Sequence, residues 1–286
     1  MPSPFPLISV NGVFNASVSP LDRGFTYGDG LFETCLYRAG RMPLWSLHRQ
    51  RLVESCRGLM IPLDVSLLET YVAELLQQAQ HFGAAEGVMK VIVTRGCGGR
   101  GYAPPELSSP TICVVFFDAV PEELQNISLR ICQQRLSRNR TLAGLKHLNR
   151  LEQILARGEW QHEYAEGLML DEEGFVIEAT ASNIFMIKNG QLFTPDLSFA
   201  GVAGIMRRVI IDQLVPALGL TVTVKKILPL ELQDADEVFI CNSIRGIVSV
   251  GMLDSDTSVR FVHREITDRL QDRLAIMLRG ISSDAS

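Results

Sequence analysis

Short apolar runs divided by two-residue turn signals are the feature that most restricts the fold of this chain. Residues 7–10 and 13–14 flank Asn11-Gly12, a pair that favours the tight turn of a β-hairpin. Such runs predict antiparallel hairpins rather than the regular strand–helix alternation of a doubly wound sheet. The predicted strands are 7–10 with 13–14, 31–37 with 42–44, 88–94, 112–117, 127–132, 168–170 with 175–177, 182–187 with 191–194, 221–227, 238–241 and 247–253.

Helical patterns lie between these strands, so the predicted fold class is mixed α/β. Asp64 is the expected N-cap of a helix whose apolar positions recur with helical spacing. Ser46 is the expected N-cap of the helix before it, which runs to about residue 59. Further helices are predicted at 149–162, after Gly204 to about 218, and at 264–278.

The pattern also predicts two domains. Residues 95–110 are rich in Gly and Pro, which is typical of a loop, and residues 118–125 combine a Pro with several acidic side chains. We predict a smaller N-terminal α/β domain at 1–117, a linker at 118–125 and a larger C-terminal α/β domain at 126–286. Two modest domains suit a length of 286 residues.

The composition excludes several classes of protein. The formal net charge is −5 and no basic run occurs, so the clustered cations of a nucleic-acid-binding protein are missing. No apolar stretch has the length of a membrane span, and the first eleven residues lack the pattern of a signal peptide. The six cysteines and five histidines show no metal-ligand spacing. We expect a cytoplasmic protein without metal, membrane or nucleic-acid partners.

Lysine is scarce, which limits the candidates for an amine nucleophile. Lys188 lies beside the Asn189-Gly190 turn, where we expect it to be solvated. Lys225 and Lys226 are adjacent on a predicted strand, so at least one of the two side chains faces water. Lys90 lies in an otherwise apolar strand, and the pattern leaves it open as a candidate. Lys146 follows Gly144-Leu145 and precedes a predicted helix, where a partly desolvated amine can meet a ligand. Pattern alone leaves each of them open to the simpler interpretation of a surface lysine.

Two glycine-rich segments could receive an anion. Residues 201–206 open a predicted helix, and free N–H groups at a helix start suit a phosphate. Residues 95–101 form a second glycine-rich run, but it is neither a P-loop nor a dinucleotide fingerprint. On pattern alone, a plain turn and helix start explains residues 201–206 better, and residues 95–101 are open to the interpretation of a mobile connection. The residue pattern alone therefore predicts an α/β protein that can bind a phosphorylated ligand.

Longer segments carry a resemblance. Residues 142–153 read LAGLKHLNRLEQ and resemble the active-site segment of the 4-amino-4-deoxychorismate lyases. Those lyases belong to the fold-type IV enzymes, which depend on pyridoxal phosphate (PLP) and include the branched-chain and D-amino-acid aminotransferases. Further segments follow in that family's order, namely DRGF at 22–25, YGDGLFET at 27–34, HRQRL at 48–52, TRG at 94–96, GGRGY at 98–102, E at 178 with NIF at 183–185, AGIMR at 203–207 and CNS at 241–243.

The resemblance implies a two-domain fold-type IV enzyme and assigns the cofactor site. Lys146 would bind PLP covalently and then carry protons, and Glu178 would hold the proton of the pyridine nitrogen. Arg51 would bind the cofactor phosphate through its guanidinium. The remaining phosphate contacts would come from the backbone of Ile205 and Met206 and from the loop at Asn242 and Ser243.

The resemblance also implies a substrate site and a homodimer. Arg100 and Tyr102 match positions that hold the substrate carboxylate in the D-amino-acid aminotransferases, where the loop comes from the partner subunit. Glu33 and Thr34 correspond to a Thr-Thr pair in some of the lyases, and Arg245 stands where the lyases often carry an apolar residue. We count all five as candidate substrate-binding residues.

The implied activity is conversion of 4-amino-4-deoxychorismate to 4-aminobenzoate and pyruvate, a step of folate biosynthesis. Because transaminases often carry Glu at the position of Glu33, a D-amino-acid or branched-chain aminotransferase is the alternative. A PLP-binding protein without catalysis is the second alternative. The presence together of Lys146, Glu178 and Arg51 favours an enzyme.

Overall fold

The structure is a computed structural model that describes residues 4–120, 122–255 and 258–280. The chain divides into two compact units. One unit comprises the chain before Glu122 together with Lys146–Asn149, and the other comprises Glu122–Leu145 and the chain from Arg150 onward. The domain limits given above remain a prediction. The two units differ from them because Lys146–Asn149, which the prediction puts in the C-terminal domain, belongs to the first unit. Those limits also include residues 1–3, 121, 256–257 and 281–286, which lie outside the described residues.

The first unit is a sheet with three helices. Its elements are β1 (Leu7–Val10), β2 (Val13–Phe14), α1 (Arg23–Tyr27), β3 (Gly30–Arg38), α2 (Trp45–Gly58), α3 (Val65–His81), β4 (Glu86–Thr94) and β5 (Thr111–Phe117). The strand order is β2-β1-β5-β4-β3, and every neighbouring pair is antiparallel. Strand β3 is therefore at one edge of this sheet.

The predicted hairpin at Asn11-Gly12 is confirmed. Asn11 and Gly12 have φ angles of 51° and 80°, the left-handed conformations that a type I′ turn needs. The turn joins β1 to β2, with Val10 opposite Val13. The next predicted hairpin is confirmed only at its turn. Ala39 and Gly40 have φ angles of 50° and 80°, and Arg38 pairs with Arg41 across them, but the predicted strand at 42–44 is wrong. Strand β3 pairs along its whole length with β4.

One of the two predicted helix caps in this unit is confirmed. The Asp64 carboxylate accepts hydrogen bonds from the N–H groups of Ser66 (2.9 Å) and Leu67 (3.1 Å), so Asp64 is the N-cap of α3. Ser46 is not a cap, since it lies inside α2. Leu44 occupies the N-cap position of α2 and makes no side-chain capping bond.

Strand β3 has two different faces, which positions the side chains discussed below. Leu31, Cys35 and Tyr37 are at most 1% exposed, and they alternate with half-buried side chains, among them Phe32 and Thr34. Successive strand residues point to opposite faces of a sheet. The buried set, which includes Glu33, faces α2, and the Phe32 set lies on the other face.

The second unit is a larger mixed sheet with surrounding helices. Its elements are β6 (Ile127–Leu136), α4 (Leu151–Arg157), β7 (Glu166–Asp171), β8 (Val176–Ala179), β9 (Asn183–Lys188), β10 (Gln191–Pro195), α5 (Ile205–Val209), a π-helical turn (Ile210–Leu214), α6 (Val215–Ala217), β11 (Val222–Lys225), α7 (Pro229–Gln233), β12 (Glu237–Asn242), β13 (Gly246–Asp254), β14 (Val259–Arg260) and α8 (Glu265–Gly280). The strand order is β11-β10-β9-β12-β13-β6-β7-β8, with β14 beside β13.

The parallel pairs β13–β6, β6–β7 and β10–β11 occur beside antiparallel hairpins, so the predicted mixed α/β class is confirmed. The core of the unit lies on this sheet, where Leu129, Leu168, Ile184, Val238 and Val250 are at most 2% exposed. Among the described residues no helix has the length and apolar character to cross a bilayer, and no His, Cys, Asp and Glu side chains cluster as metal ligands.

Three elements of the second unit differ in length from their predictions. Helix α4 ends at Arg157, well before residue 162, because Gly158 follows it as the C-cap. The helix after Gly204 begins as predicted, but a π-helical turn interrupts it. Strand β11 covers only Val222–Lys225 of the predicted 221–227.

Candidate active site

Lys146 lies on a short segment that runs beside the edge strand β3. The N–H of Phe32 donates to the carbonyl of Lys146 (3.0 Å), and the N–H of Leu148 donates to the carbonyl of Gly30 (3.0 Å). Leu31 and His147 are antiparallel partners between these bonds. Alternation along the segment therefore turns the Lys146 side chain to the Phe32 face, where Nζ lies 4.3 Å from the centroid of the Phe32 ring.

Glycine allows this segment to approach β3. A Cβ atom on Gly30 would lie 2.5 Å from the carbonyl oxygen of Val93 and 2.8 Å from a methyl carbon of Leu148. Gly28 ends α1 with φ of 66°, and its carbonyl accepts a hydrogen bond from the Asn149 side chain (3.1 Å). The YGDG sequence thus serves close packing around the lysine segment.

A second amine lies on the same face. Lys90 of β4 places Nζ 5.2 Å from the Phe32 ring centroid, so one aromatic ring contacts two ammonium groups. Thr34 is the cross-strand partner of Lys90. The sequence did not identify Lys90 as a site residue, because its position depends on the register between β3 and β4.

Glu33, on the opposite face of β3, is the centre of a buried polar cluster. Arg51 donates to its two oxygens through Nε (2.8 Å) and Nη2 (2.5 Å), and His48 Nδ1 lies 2.6 Å from Oε2. Glu33 and His48 are each 1% exposed. An ionised carboxylate only accepts hydrogen bonds, so His48 carries its hydrogen on Nδ1. Its Nε2 is buried without a hydrogen-bond partner among the described residues.

The charges in this cluster follow from burial and contact. Burial raises the pKa of Glu33, but the hydrogen bonds from His48 and Arg51 and the Arg51 charge outweigh burial and bring the pKa below its ordinary value. Burial lowers the pKa of His48, despite the nearby Glu33 carboxylate. The cluster is therefore an ionised Glu33, a cationic Arg51 and a neutral His48. The structure does not bring Glu33 to the face that carries Lys146, and a substrate contact for Glu33 stays a prediction without support from its placement.

In the second unit, Glu178 lies on β8 and is 5% exposed. Its Oε2 accepts hydrogen bonds from the N–H of Val202 (2.8 Å) and from the Asn183 amide (3.5 Å). Burial lowers the pKa of Arg150, and the nearby Glu178 charge opposes that shift. Two hydrogen-bond donors and the nearby Arg150 cation thus act on the Glu178 carboxyl group.

The chain joins Lys146 to the loop that contacts Glu178. Gly144 donates its N–H to the carbonyl of Gly201 (2.9 Å) and accepts at its own carbonyl from the N–H of Ala203 (3.0 Å). Val202, whose N–H binds Glu178, lies between those two partners. Gly144 precedes Lys146 by two residues, so the covalent chain links the lysine to this loop.

The helix start predicted after Gly204 is confirmed at α5. Gly204 is the N-cap, and Ile205 and Met206 are the first two helical residues, whose N–H groups have no acceptor within the helix. A Cβ atom on Gly204 would lie 2.0 Å from the Asn183 side-chain oxygen, so any larger residue here would displace Asn183. Binding of a phosphate here remains a prediction.

The turn between β12 and β13 is organised by Asn242. Its Oδ1 accepts from the N–H groups of Ile244 (3.0 Å) and Arg245 (2.8 Å), and its Nδ2 donates to the Ser182 hydroxyl (3.0 Å). The Asn242 side chain thus shapes the loop, and the phosphate contacts predicted for Asn242 and Ser243 stay predictions.

Arg245 is exposed at this turn, and its charge acts on the buried carboxyl group of Glu166. Burial raises the pKa of Glu166, while a hydrogen bond from Thr180 and the charge of Arg245 oppose the increase. Glu166 is 3% exposed. The contact of Arg245 with substrate remains a prediction.

Arg100 and Tyr102 lie on the loop between β4 and β5. Both side chains are exposed in the single chain, and Tyr102 is 85% exposed. The ring of Tyr102 makes an edge contact with Tyr27 at 5.5 Å between centroids. Exposure in the single chain does not decide whether either side chain contacts substrate, so both contacts remain predictions.

The residues present fit PLP group by group. An amine beside an aromatic ring, at Lys146 and Phe32, suits covalent attachment of the cofactor. The buried Glu178 carboxylate suits a pyridine nitrogen, and the start of α5 suits a phosphate. Arg51 supplies a further cation that Glu33 fixes in orientation.

Comparisons with known proteins agree with this reading. Residues 30–252 match the amino-transferase class IV family. An aminodeoxychorismate lyase from Vibrio harveyi is 35% identical, with 93% of this chain and 98% of that protein covered. The crystal structure of 4-amino-4-deoxychorismate lyase from Pseudomonas aeruginosa superposes with a TM-score of 0.86 at 43% identity, covering 94% of this chain and 98% of that one.

An aminotransferase is also among the relatives. The branched-chain-amino-acid aminotransferase of Escherichia coli is 26% identical, with 94% of this chain and 91% of that protein covered. Enzymes of this fold family depend on PLP. The match over residues 30–252 shows that this chain belongs to the class IV aminotransferase family, and its fold is the fold-type IV architecture that the sequence segments indicated.

Proposed function

We propose that this chain is a PLP-dependent lyase that converts 4-amino-4-deoxychorismate to 4-aminobenzoate and pyruvate. The observation that carries the proposal is the 43% identity to the Pseudomonas aeruginosa lyase over nearly the whole chain. The lysine segment beside β3 supports it, since residues 142–153 resemble the active-site segment of those lyases. The proposed step is one of folate biosynthesis.

Besides an electron sink, the reaction needs a positioned base and acid. One proton leaves the ring carbon beside the amine, the bond from the ring to the enolpyruvyl oxygen breaks, and one proton reaches the methylene carbon of the departing group. Atoms balance without water or an oxidant, and the ring becomes aromatic. Bound PLP supplies an electron sink for the removal of the ring proton. The protein therefore contributes mainly orientation and proton transfer.

The roles of individual residues follow from their surroundings. The Lys146 amine lies 4.3 Å from the centroid of the Phe32 ring, and we propose that it attaches PLP there and carries the proton. Glu178, held by Val202 and Asn183, would keep a proton on the pyridine nitrogen. We further propose that Arg51, the N–H groups of α5 and the loop at Asn242 and Ser243 bind the cofactor phosphate.

The substrate carries two carboxylates, and a partly buried site must neutralise both. Lys90 supplies a cation on the face of Lys146, beside Thr34. Arg100 is the cation of the glycine-rich loop, and Arg245 is an exposed cation of the β12–β13 turn. We propose Lys90 and Arg100 as carboxylate-binding residues, with Arg245 contributing from the turn.

A homodimer is part of the proposal. Leu151, Ile154 and Leu155 of α4 are 71%, 63% and 59% exposed, and their spacing places them on one helix face. An exposed apolar face of this kind is typical of an interaction surface. We propose that a second copy of the chain covers it. Sedimentation equilibrium tests the proposal, and a monomer at micromolar concentration would contradict it.

An aminotransferase is the alternative, since the Escherichia coli branched-chain enzyme is similar over 94% of this chain. Purified protein loaded with PLP is expected to release 4-aminobenzoate from aminodeoxychorismate. The same protein is expected to transfer amino groups slowly or not at all from D-alanine or a branched-chain amino acid to 2-oxoglutarate. Rapid amino transfer without 4-aminobenzoate would overturn the lyase assignment. Covalent PLP without either activity would indicate a binding protein.

A further inference from the structure

We propose that Arg23 is a positioning residue that fixes the loop carrying Arg100 and Tyr102. This inference rests on the proposed function, because it takes these two side chains as substrate-binding groups. Arg23 belongs to the DRGF segment, for which the proposed chemistry has no role. Its side chain is nevertheless buried, with the whole residue 4% exposed.

Three consecutive carbonyl groups of the loop converge on the Arg23 guanidinium. Nη1 donates to the carbonyl oxygens of Gly101 (3.1 Å) and Ala103 (3.4 Å), and Nη2 donates to that of Tyr102 (3.1 Å). The planar fork of arginine fixes the relative positions of its acceptors. One side chain therefore sets the backbone on both sides of Tyr102 and directly after Arg100.

The guanidinium is itself held in place from the other side. Nε donates to Asp29 Oδ2 (2.8 Å), and Asp29 is also bound by Arg95 Nε (2.7 Å). Arg95 in turn donates to the carbonyls of Leu59 and Met60, at the end of α2. The loop is thus connected through Arg23, Asp29 and Arg95 to a helix of the first unit.

Side-chain packing continues the same connection. The Arg23 guanidinium lies 4.9 Å from the centroid of the Tyr27 ring, and Tyr27 contacts Tyr102. A Cβ atom on Gly98 would lie 2.7 Å from Cδ of Arg23. At Gly99, the next residue, a Cβ atom would meet nothing within 4 Å.

The loop has little other support. Among the residues that the structure describes, 99–108 take part in no backbone–backbone hydrogen bond of a turn or cap, and they form no strand or helix. The N–H of Gly98 donates to the carbonyl of Leu21 at 3.4 Å, just before the loop. The carbonyl contacts of Arg23 are therefore the principal tether of the segment that carries Arg100.

Limited trypsin digestion of the PLP-loaded protein tests the tether without reference to activity. Cleavage after Arg100 should be about tenfold faster in Arg23→Met, which removes the tether, and clearly faster in Gly98→Ala, which displaces Arg23. Gly99→Ala is the matched control, and its cleavage rate should equal that of the wild type. Equal cleavage in all four proteins would overturn the proposal.

Steady-state kinetics with aminodeoxychorismate test the positioning role. Arg23→Met should raise KM about tenfold with little change in kcat, because loss of orientation weakens a charged hydrogen bond to the substrate. In an Arg100→Ala background, Arg23→Met should change KM only slightly, since its effect passes through Arg100. A merely structural role would give additive effects and a lower kcat, and that result would refute the positioning role.

The two experiments separate this inference from the proposed function. Faster cleavage with unchanged KM would mean that Arg23 holds the loop but that the loop does not bind substrate, which overturns the positioning role. Failure of every variant and of the wild type to release 4-aminobenzoate would reject the proposed function. In that case the cleavage rates still decide whether Arg23 tethers the loop.

Discussion

Replacing Lys146 with alanine is expected to lower turnover of aminodeoxychorismate by at least about 10³-fold, since general acid–base groups contribute roughly 10²–10⁴-fold. Alanine removes both the amine that would attach PLP and the group that would carry the proton. Phe32 and the backbone pairing of the segment with β3 remain, so the fold should persist. The measurement is initial 4-aminobenzoate release by the PLP-loaded protein.

Mapping of the attachment site gives an independent readout. Borohydride reduction of the PLP-loaded wild type, followed by peptide mapping, should find the cofactor on Lys146. The matched control is Lys90→Met, because Lys90 is the other amine beside Phe32. This variant should keep the label on Lys146 and lose affinity for substrate. A label on Lys90, or no label in the wild type, would contradict the assignment.

Glu178→Gln separates attachment from catalysis in the same assay. Glutamine can still accept a hydrogen bond from Val202, so the loop should keep its conformation and the label should stay on Lys146. Turnover should fall about 10- to 100-fold, the loss expected when a charged hydrogen bond becomes neutral. An unchanged rate would show that this carboxylate does not face the pyridine ring.

Local chemistry explains which parts of the fold were predictable. The turn at Asn11-Gly12 needs two residues in the left-handed conformation, and Asp64 accepts hydrogen bonds from the first N–H groups of α3. Both features therefore follow from a few neighbouring residues. The second hairpin was predictable only at its turn, because Arg38 pairs with Arg41 but residues 42–44 lead into α2 and form no strand. At the other end of the strand, the same edge of β3 pairs with the segment around His147, a distant partner that a local pattern does not reveal.

The site was predictable only in part for the same reason. Family segments identified Lys146 and Glu178. No pattern indicated that Lys146–Asn149 would belong to the first unit, paired with β3, while the chain on either side of it belongs to the second. Placing Lys90 beside Phe32 requires the register of two strands. Strand alternation does contain one signal that was available, because it sets Glu33 and Thr34 on opposite faces of β3.

Substitution of Glu33 by glutamine is expected to destabilise the first unit by about 3 kcal/mol, at the lower end of the range for breaking a buried ion pair. Glutamine keeps an oxygen for one Arg51 contact but removes the charge opposite a guanidinium whose side chain is 12% exposed. Urea unfolding measured by the fluorescence of Trp45, in a Trp160→Phe background, reports on this unit. The matched control is Glu86→Gln, because the exposed pair of Glu86 with Arg38 should contribute at most about 1 kcal/mol.

The pH dependence of the stability difference shows whether Glu33→Gln acts through loss of the carboxylate charge or through altered packing. Because the folded pKa of Glu33 lies below its ordinary value of 4.5, its stabilising contribution is fully present above pH 4.5 and is lost as the pH falls through the folded pKa. The stability difference between wild type and Glu33→Gln should therefore be constant from pH 7 down to about pH 5 and shrink below 4.5. His48 adds a dependence of its own: its folded pKa lies below the ordinary value of 6.5, so the unfolded chain gains a proton first and stability falls as the pH drops below 6.5. This loss cancels in the difference between the two proteins as long as His48 is neutral in both folded states. A difference that stayed the same in acid would mean that packing around Glu33, and not its charge on Arg51, stabilises the cluster.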